Sequence, residues 1–102
     1  MAVVWTARAR DDLRDIFEFI AQDDREAAAR WVDRLIQRAE LAATMPLAGR
    51  SLPELSRRDI REVFVRSYRI IYRVSSDQIR VLTVFEGHRR LRLADLEGNT
   101  SA

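Results

Sequence analysis

Tyr68-Arg69-Ile70-Ile71-Tyr72-Arg73-Val74 is the stretch on which the fold turns. In an extended chain, Tyr68, Ile70, Tyr72 and Val74 fall on one side and Arg69, Ile71 and Arg73 on the other. The period is two, and aromatic and β-branched residues favour a pleated strand. The same period runs through Arg61–Arg66 (REVFVR) before it and Ile79–Glu86 (IRVLTVFE) after it, with a turn at Ser75–Gln78. Three such strands in succession predict an antiparallel meander. The Tyr68/Ile70/Tyr72/Val74 set is expected to lie under a covering layer. The other set is expected to expose two guanidinium groups on either side of Ile71.

The covering layer is legible upstream. Ala2–Trp5 reads as a short strand, and Thr6 then offers a hydroxyl cap. Leu13, Ile16, Phe17 and Ile20 follow at helical spacing, predicting a helix that ends near Gln22. Asp23 and Glu26 resemble a capping box for a second helix over 24–44. Its apolar stripe is Ala28, Trp31, Val32, Leu35, Ile36, Ala39 and Ala42, and Pro46 and Gly49 end it. Residues 47–59 read as a connecting loop, and residues 89–97 as one or two helical turns. The predicted class is α+β: an N-terminal strand, an antiparallel helical hairpin packed on a small, mainly antiparallel sheet, and a short C-terminal helical turn. Residues 1–97 are expected to form one domain and 98–102 a frayed tail.

Composition narrows the chemistry. The 102-residue chain has no cysteine and one histidine, which excludes a disulfide scaffold and a thiolate metal site and argues against a zinc site. No metal or other cofactor is expected. Apolar runs stay well short of the roughly 18 residues of a membrane span, and no signal peptide is visible, so the expected compartment is the cytoplasm. All 18 basic residues are arginine. They are unevenly placed, with 8 arginines against 10 acids before Arg57 and 10 against 4 from Arg57 to Arg92. A basic second half hints at an anionic partner, nucleic acid or an acidic protein segment; a solvated arginine-rich face explains it equally well.

The candidate binding residues are Arg61, Arg66, Arg69, Arg73, His88, Arg89 and Arg90, on the strands or just beyond them. Guanidinium groups grouped on a sheet can hold phosphates or carboxylates through paired hydrogen bonds. The plainer alternative pairs Arg69 and Arg73 with Glu62 and Glu86 across the strands. His88 follows Gly87 at a strand end, where it suits a phosphate contact, proton transfer near neutral pH or simple exposure. Glu54 is either a base or arginine partner, or a solvated loop charge. The aromatic residues, Phe64 included, read first as core, and the three glycines are too scattered for a phosphate-binding loop.

Taken together, the short strand, the helical hairpin, Pro46, Gly49-Arg50, Pro53-Glu54, the Tyr68–Val74 strand and the Val84-Phe85-Glu86-Gly87-His88-Arg89-Arg90 ending resemble the RelE/ParE toxin superfamily over nearly the whole chain. The resemblance implies a type II toxin neutralised by a small antitoxin whose C-terminal segment wraps it. Operator DNA would then be bound only through the toxin–antitoxin complex, and no membrane would be involved. The wording Arg66-Ser67-Tyr68-Arg69-Ile70-Ile71-Tyr72-Arg73-Val74 looks more like the ParE branch, which inhibits DNA gyrase by binding and has no known nuclease activity. The RelE branch cuts messenger RNA on the ribosome. Lysines and a late tyrosine used by RelE are absent here. A YoeB-like variant of that nuclease reading assigns Glu54 as base, Arg69 as phosphate clamp and His88 as acid.

Overall fold

The computed structural model describes residues 1–87 and Leu96. The order is β1 (Ala2–Trp5), α1 (Ala7–Ala21), α2 (Arg25–Thr44), a 3-10 turn (Pro46–Ala48), β2 (Arg50–Ser51), β3 (Ile60–Val65), β4 (Tyr68–Val74) and β5 (Gln78–Glu86). They form one five-stranded sheet in the order β1-β5-β4-β3-β2, antiparallel except for the β1–β5 pair. The expected α+β architecture is therefore present. The helical turn expected over 89–97 and the tail at 98–102 lie outside the described residues, apart from Leu96.

Local chemistry sets the helix ends. The Thr6 hydroxyl accepts from the Ala9 amide at 3.1 Å and lies 3.0 Å from the Val81 carbonyl, so one buried side chain caps α1 and ties it to β5. The expected capping box shifts by one residue. Asp24, not Asp23, is the N-cap, and it accepts from the Ala27 amide at 3.0 Å. The Asp12 carboxylate, on α1, accepts from the Thr83 hydroxyl at 2.6 Å and the Val84 amide at 3.0 Å. Between β4 and β5 the register shifts, with Ile71 opposite Thr83 and Tyr72 opposite Val81, so Leu82 is the extra residue of a bulge. Asp12 satisfies backbone and side chain just past that irregularity.

The sheet is covered on both faces. Leu35, Ala39, Val63, Ile70, Tyr72, Ile79 and Val81 make the main core under the helices, and Tyr68 joins it with its ring against Trp31. On the opposite face Leu52, Ile60, Ile71, Leu82 and Leu96 form a second cluster, with Leu55 and Phe85 packed against it. The segment expected to be a connecting loop over 47–59 helps to cover that face. It contains the 3-10 turn and β2, which pairs Arg50 with Glu62 and Ser51 with Arg61. A two-residue strand carries too little alternation to be seen in sequence. Phe64, expected in the core, is 39% exposed.

Gly49 is required by a close approach. A Cβ there would meet the Tyr72 hydroxyl at 2.1 Å, and that hydroxyl donates to the Pro46 carbonyl at 2.6 Å. Burial of the phenol pushes its pKa above 10.0, consistent with a neutral donor held under the turn. Gly49→Ala is therefore expected to cost about 1–3 kcal/mol by overpacking, and Tyr72→Phe about 1 kcal/mol for the lost hydrogen bond. In urea denaturation the double variant should be more stable than the sum of the two losses predicts, because phenylalanine lacks the oxygen that the new methyl strikes. Strict additivity would mean the clash is relieved elsewhere.

Candidate functional site

Glu62 sits in the middle of β3 on the face away from the helices and is 1% exposed. A buried carboxylate must be paired or it is prohibitively costly. Two guanidinium groups meet it. Arg69 Nε donates to one oxygen at 2.7 Å, with Nη2 at the same distance, and Arg50 Nε donates to the other at 2.7 Å. Arg50 stands directly across from Glu62 on β2, and Arg69 lies on β4, whose Ile71 is opposite Glu62. Arg69 also approaches Glu54, with Nη2 to Oε2 at 3.5 Å, and its guanidinium lies 5.2 Å from the Phe85 ring centre. Arg50 packs likewise over Phe64 at 5.6 Å.

This corrects one expectation and supports another. Arg69 does not stand out from the sheet; it is 4% exposed, because the 52–59 segment and the second apolar cluster close over it. Its pairing with Glu62 is the plainer alternative weighed from the sequence. Glu54 is not a solvated loop charge either, since its side chain is nearly as buried as the arginine it faces. Glu86 takes no part with Arg69 or Arg73 in any described ion pair and accepts instead from the Ser67 hydroxyl at 2.8 Å.

The other candidates separate. Arg61 folds back onto its own surroundings, donating to the carbonyls of Arg58 at 2.9 Å, Gly49 at 3.1 Å and Leu47 at 3.3 Å. It holds the 3-10 turn in place. Arg66 occupies the first position of a two-residue β3–β4 turn with φ at 55°, a left-handed conformation uncommon for arginine, and is exposed. Arg73 is half-buried; its Nε has no hydrogen-bond partner and lies 3.9 Å from Asp59. Asp59 belongs to Arg57, whose Nε and Nη2 donate to its two oxygens at 2.8 and 2.7 Å. His88, Arg89 and Arg90 lie outside the described residues. The structure thus brings Glu54, Glu62 and Arg69 together and spreads Arg61, Arg66 and Arg73 along the sheet. Arg50 and Asp59 were missed as participants; the signal for Arg50 was the pairing of β2, too short to read.

A model of the ParE toxin of the type II toxin–antitoxin system parDE matches residues 3–91. The chain belongs to the ParE toxin family. The ParE-family chain is also 36% identical over 86 residues to "Putative toxin Y4kP" of Sinorhizobium fredii, covering 84% of this chain and 88% of that one. Its fold matches a structure titled "Chromosomal ParDE TA system from P. aeruginosa", with a TM-score of 0.71 over 86% of this chain and 97% of the other, at 19% identity. At that identity the match speaks for the fold alone. Among the described residues there is no group of three or more potential metal ligands and no helix long and apolar enough to cross a membrane.

Two measurements follow for this ParE-family site. Glu62→Ala should destabilise the chain by about 3–5 kcal/mol, since it strands a buried guanidinium, and by more than Glu54→Ala, whose oxygen stands 3.5 Å from Arg69 against 2.7 Å for that of Glu62. Equal losses in chemical denaturation would overturn the assignment of Glu62 as the principal counter-ion. Hydrogen bonds from Arg57, ahead of its charge, hold the Asp59 pKa below the ordinary 3.8, burial opposing them. A lowered folded value adds stability above the unfolded pKa and loses it as pH falls through the folded one. Asp59→Asn should therefore flatten the acid limb of stability below pH 3.8, and an unchanged limb would show that the pair contributes nothing.

Proposed function

We propose that this chain is a gyrase-directed toxin of the ParE kind, acting by binding rather than catalysis and neutralised by a cognate ParD-like antitoxin. Family membership supports the toxin assignment, and the fold's likeness to a ParDE system supports an antitoxin partner. The observation that favours binding over RNA cleavage is the state of Arg69. A YoeB-like nuclease needs a strand arginine presented to the phosphate that takes on charge in the transition state. Here that arginine is buried, with Nε and Nη2 on Glu62 and Glu54 at its flank. Glu54, the base in that mechanism, is likewise turned onto a cation.

Of the candidate residues, those left for a target are the exposed Arg66 and the half-buried Arg73, together with His88, Arg89 and Arg90 after β5 in the sequence. Accessible guanidinium groups suit an acidic protein surface through paired hydrogen bonds. Arg61 and Arg69, named as contacts from sequence, act through the fold in this reading. The toxin works in the cytoplasm, requires no cofactor, and reaches operator DNA only as part of the antitoxin complex.

The test is purified chain, freed of antitoxin, in a gyrase supercoiling assay beside a messenger-RNA cleavage assay on translating ribosomes. Lost supercoiling with intact message is the expected outcome, and Arg73→Glu should weaken that inhibition at least about tenfold, as reversal of a contact charge does. Cleaved message with normal supercoiling would reverse the reading and make Glu54, Arg69 and His88 the residues to mutate.

A further inference from the structure

Between α1 and the β4–β5 pair lies a recess of about 340 Å³. Asp12, Asp15, Ile16 and Phe19 line it from the helix at i, i+3, i+4 and i+7, and Tyr68 and Glu86 from the sheet. Ile16 and Val84 belong to the core beneath, so its bottom is apolar. The Phe19 ring is 71% exposed, more than any other large apolar side chain among the described residues. Three carboxylates stand around this apolar surface. One oxygen of Asp12 is taken by Thr83 and the Val84 amide, and one of Glu86 by the Ser67 hydroxyl. Asp15 makes no hydrogen bond or ion pair with a described residue, whereas its neighbour Asp11 pairs with Arg14. In a chain with 18 arginines, none of those described lines the recess.

Charge and shape together select the occupant. The acids do not converge as a set of metal ligands among the described residues. Phosphates and acidic peptide segments are repelled by them. A neutral apolar group would cover Phe19 and leave the carboxylates unused. A guanidinium on an aliphatic stem uses both: the stem lies on Ile16 and Phe19, the planar head meets an aromatic face, and its fork reaches the carboxylates. The fold makes the same aromatic contact with its own arginines, Arg34 over Trp31 at 4.7 Å and Arg25 over Phe17 at 5.5 Å.

The recess also adjoins the turn that presents Arg66. The Ser67 hydroxyl donates to Glu86 at 2.8 Å and the Gly87 amide to the Ser67 carbonyl at 3.0 Å, so the β3–β4 turn is fastened to the rim. A surface that brings an acid to Arg66 therefore meets carboxylates beside it, and the alternation of sign fixes how that surface is turned. We propose that this recess receives an arginine side chain of the toxin's target protein, with the guanidinium between Asp15 and Glu86 and the stem on Phe19. This rests on the gyrase-directed reading above and assigns it a second contact of opposite charge.

The experiment uses the purified chain freed of antitoxin. N-acetyl-arginine amide, titrated into the labelled chain, should give saturable amide shifts confined to residues 12–19 and 84–86, and Asp15→Asn should weaken that binding. Asp15→Arg should weaken gyrase inhibition at least about tenfold, while the thermal midpoint and the antitoxin affinity stay near those of the parent. Absence of saturable shifts overturns the proposal, as does inhibition within about threefold of the parent. An equal fall in antitoxin affinity would give the recess to the antitoxin, and a parent dimer that Asp15→Arg dissociates would give it to a second copy; either overturns the assigned source. A parent chain that leaves supercoiling intact removes the reading itself, and saturable probe shifts would then show a guanidinium site whose assigned source has fallen with it.

Discussion

One buried carboxylate organises the sheet. Glu62 lies on β3 where an apolar residue would pack more cheaply, and it is tolerated because Arg69 and Arg50 approach from opposite sides. A one-residue slip of β4 against β3 would carry Arg69 to the helix side and leave Glu62 facing aliphatic side chains. Loss of β2 would remove Arg50. The ion pair thus adds little net stability over an apolar isostere, but it penalises wrong registers heavily. That penalty fixes the alignment of β2, β3 and β4, and with it the position of the segment that closes over the second face.

The closure has its own fastening. Gly49 admits the Tyr72 hydroxyl, Tyr72 holds Pro46, and Arg61 gathers the neighbouring carbonyls. The polypeptide leaving α2 is thereby pulled onto the sheet before it can pair with the upper half of β3. Leu52 and Leu55 then reach the far face, where Ile71 and Leu82 would otherwise be wet. A small chain with a modest core gains from a second cluster of this kind. The cost is an edge left open from Val63 to Val65.

Periodicity carried most of the architecture. The alternation of Tyr68–Val74 and the i, i+3, i+4 stripes of the helices gave the strands, the helices and the covered face, because burial on one side imposes those periods directly. What escaped was governed by pairings between distant residues. β2 is only two residues long, the Leu82 bulge depends on register, and Asp24 displaces Asp23 as cap by a single position. For the site, arginines on the far face were legible but their exposure was not. Arg69 in isolation looks like a free cation on a strand; its burial follows from the 52–59 segment, whose path no local pattern announces. Leu41 carried the opposite signal: it falls outside the stripe of α2 and is 60% exposed. The exposure of Phe64 was not legible, because it shares a face of β3 with the buried Ile60 and Glu62.

A chain with arginine as its only cation assigns that one side chain several different tasks. Arg69 is consumed in the interior, Arg61 clamps carbonyls, Arg57 holds Asp59, and Arg50 divides itself between Glu62 and the Phe64 ring. Each of these is fixed by partners within the fold, so changing it acts first on stability. Arg34, Arg38 and Arg66 border exposed apolar surface and an unpaired strand edge instead. Charge alone does not distinguish the two groups, which is why a basic sequence half says little about where a partner sits. The distinction lies in whether the fold already supplies the carboxylate. Where it does, the arginine is structure; where a cation stands beside exposed apolar side chains with no acid among them, the fold leaves its charge unspent.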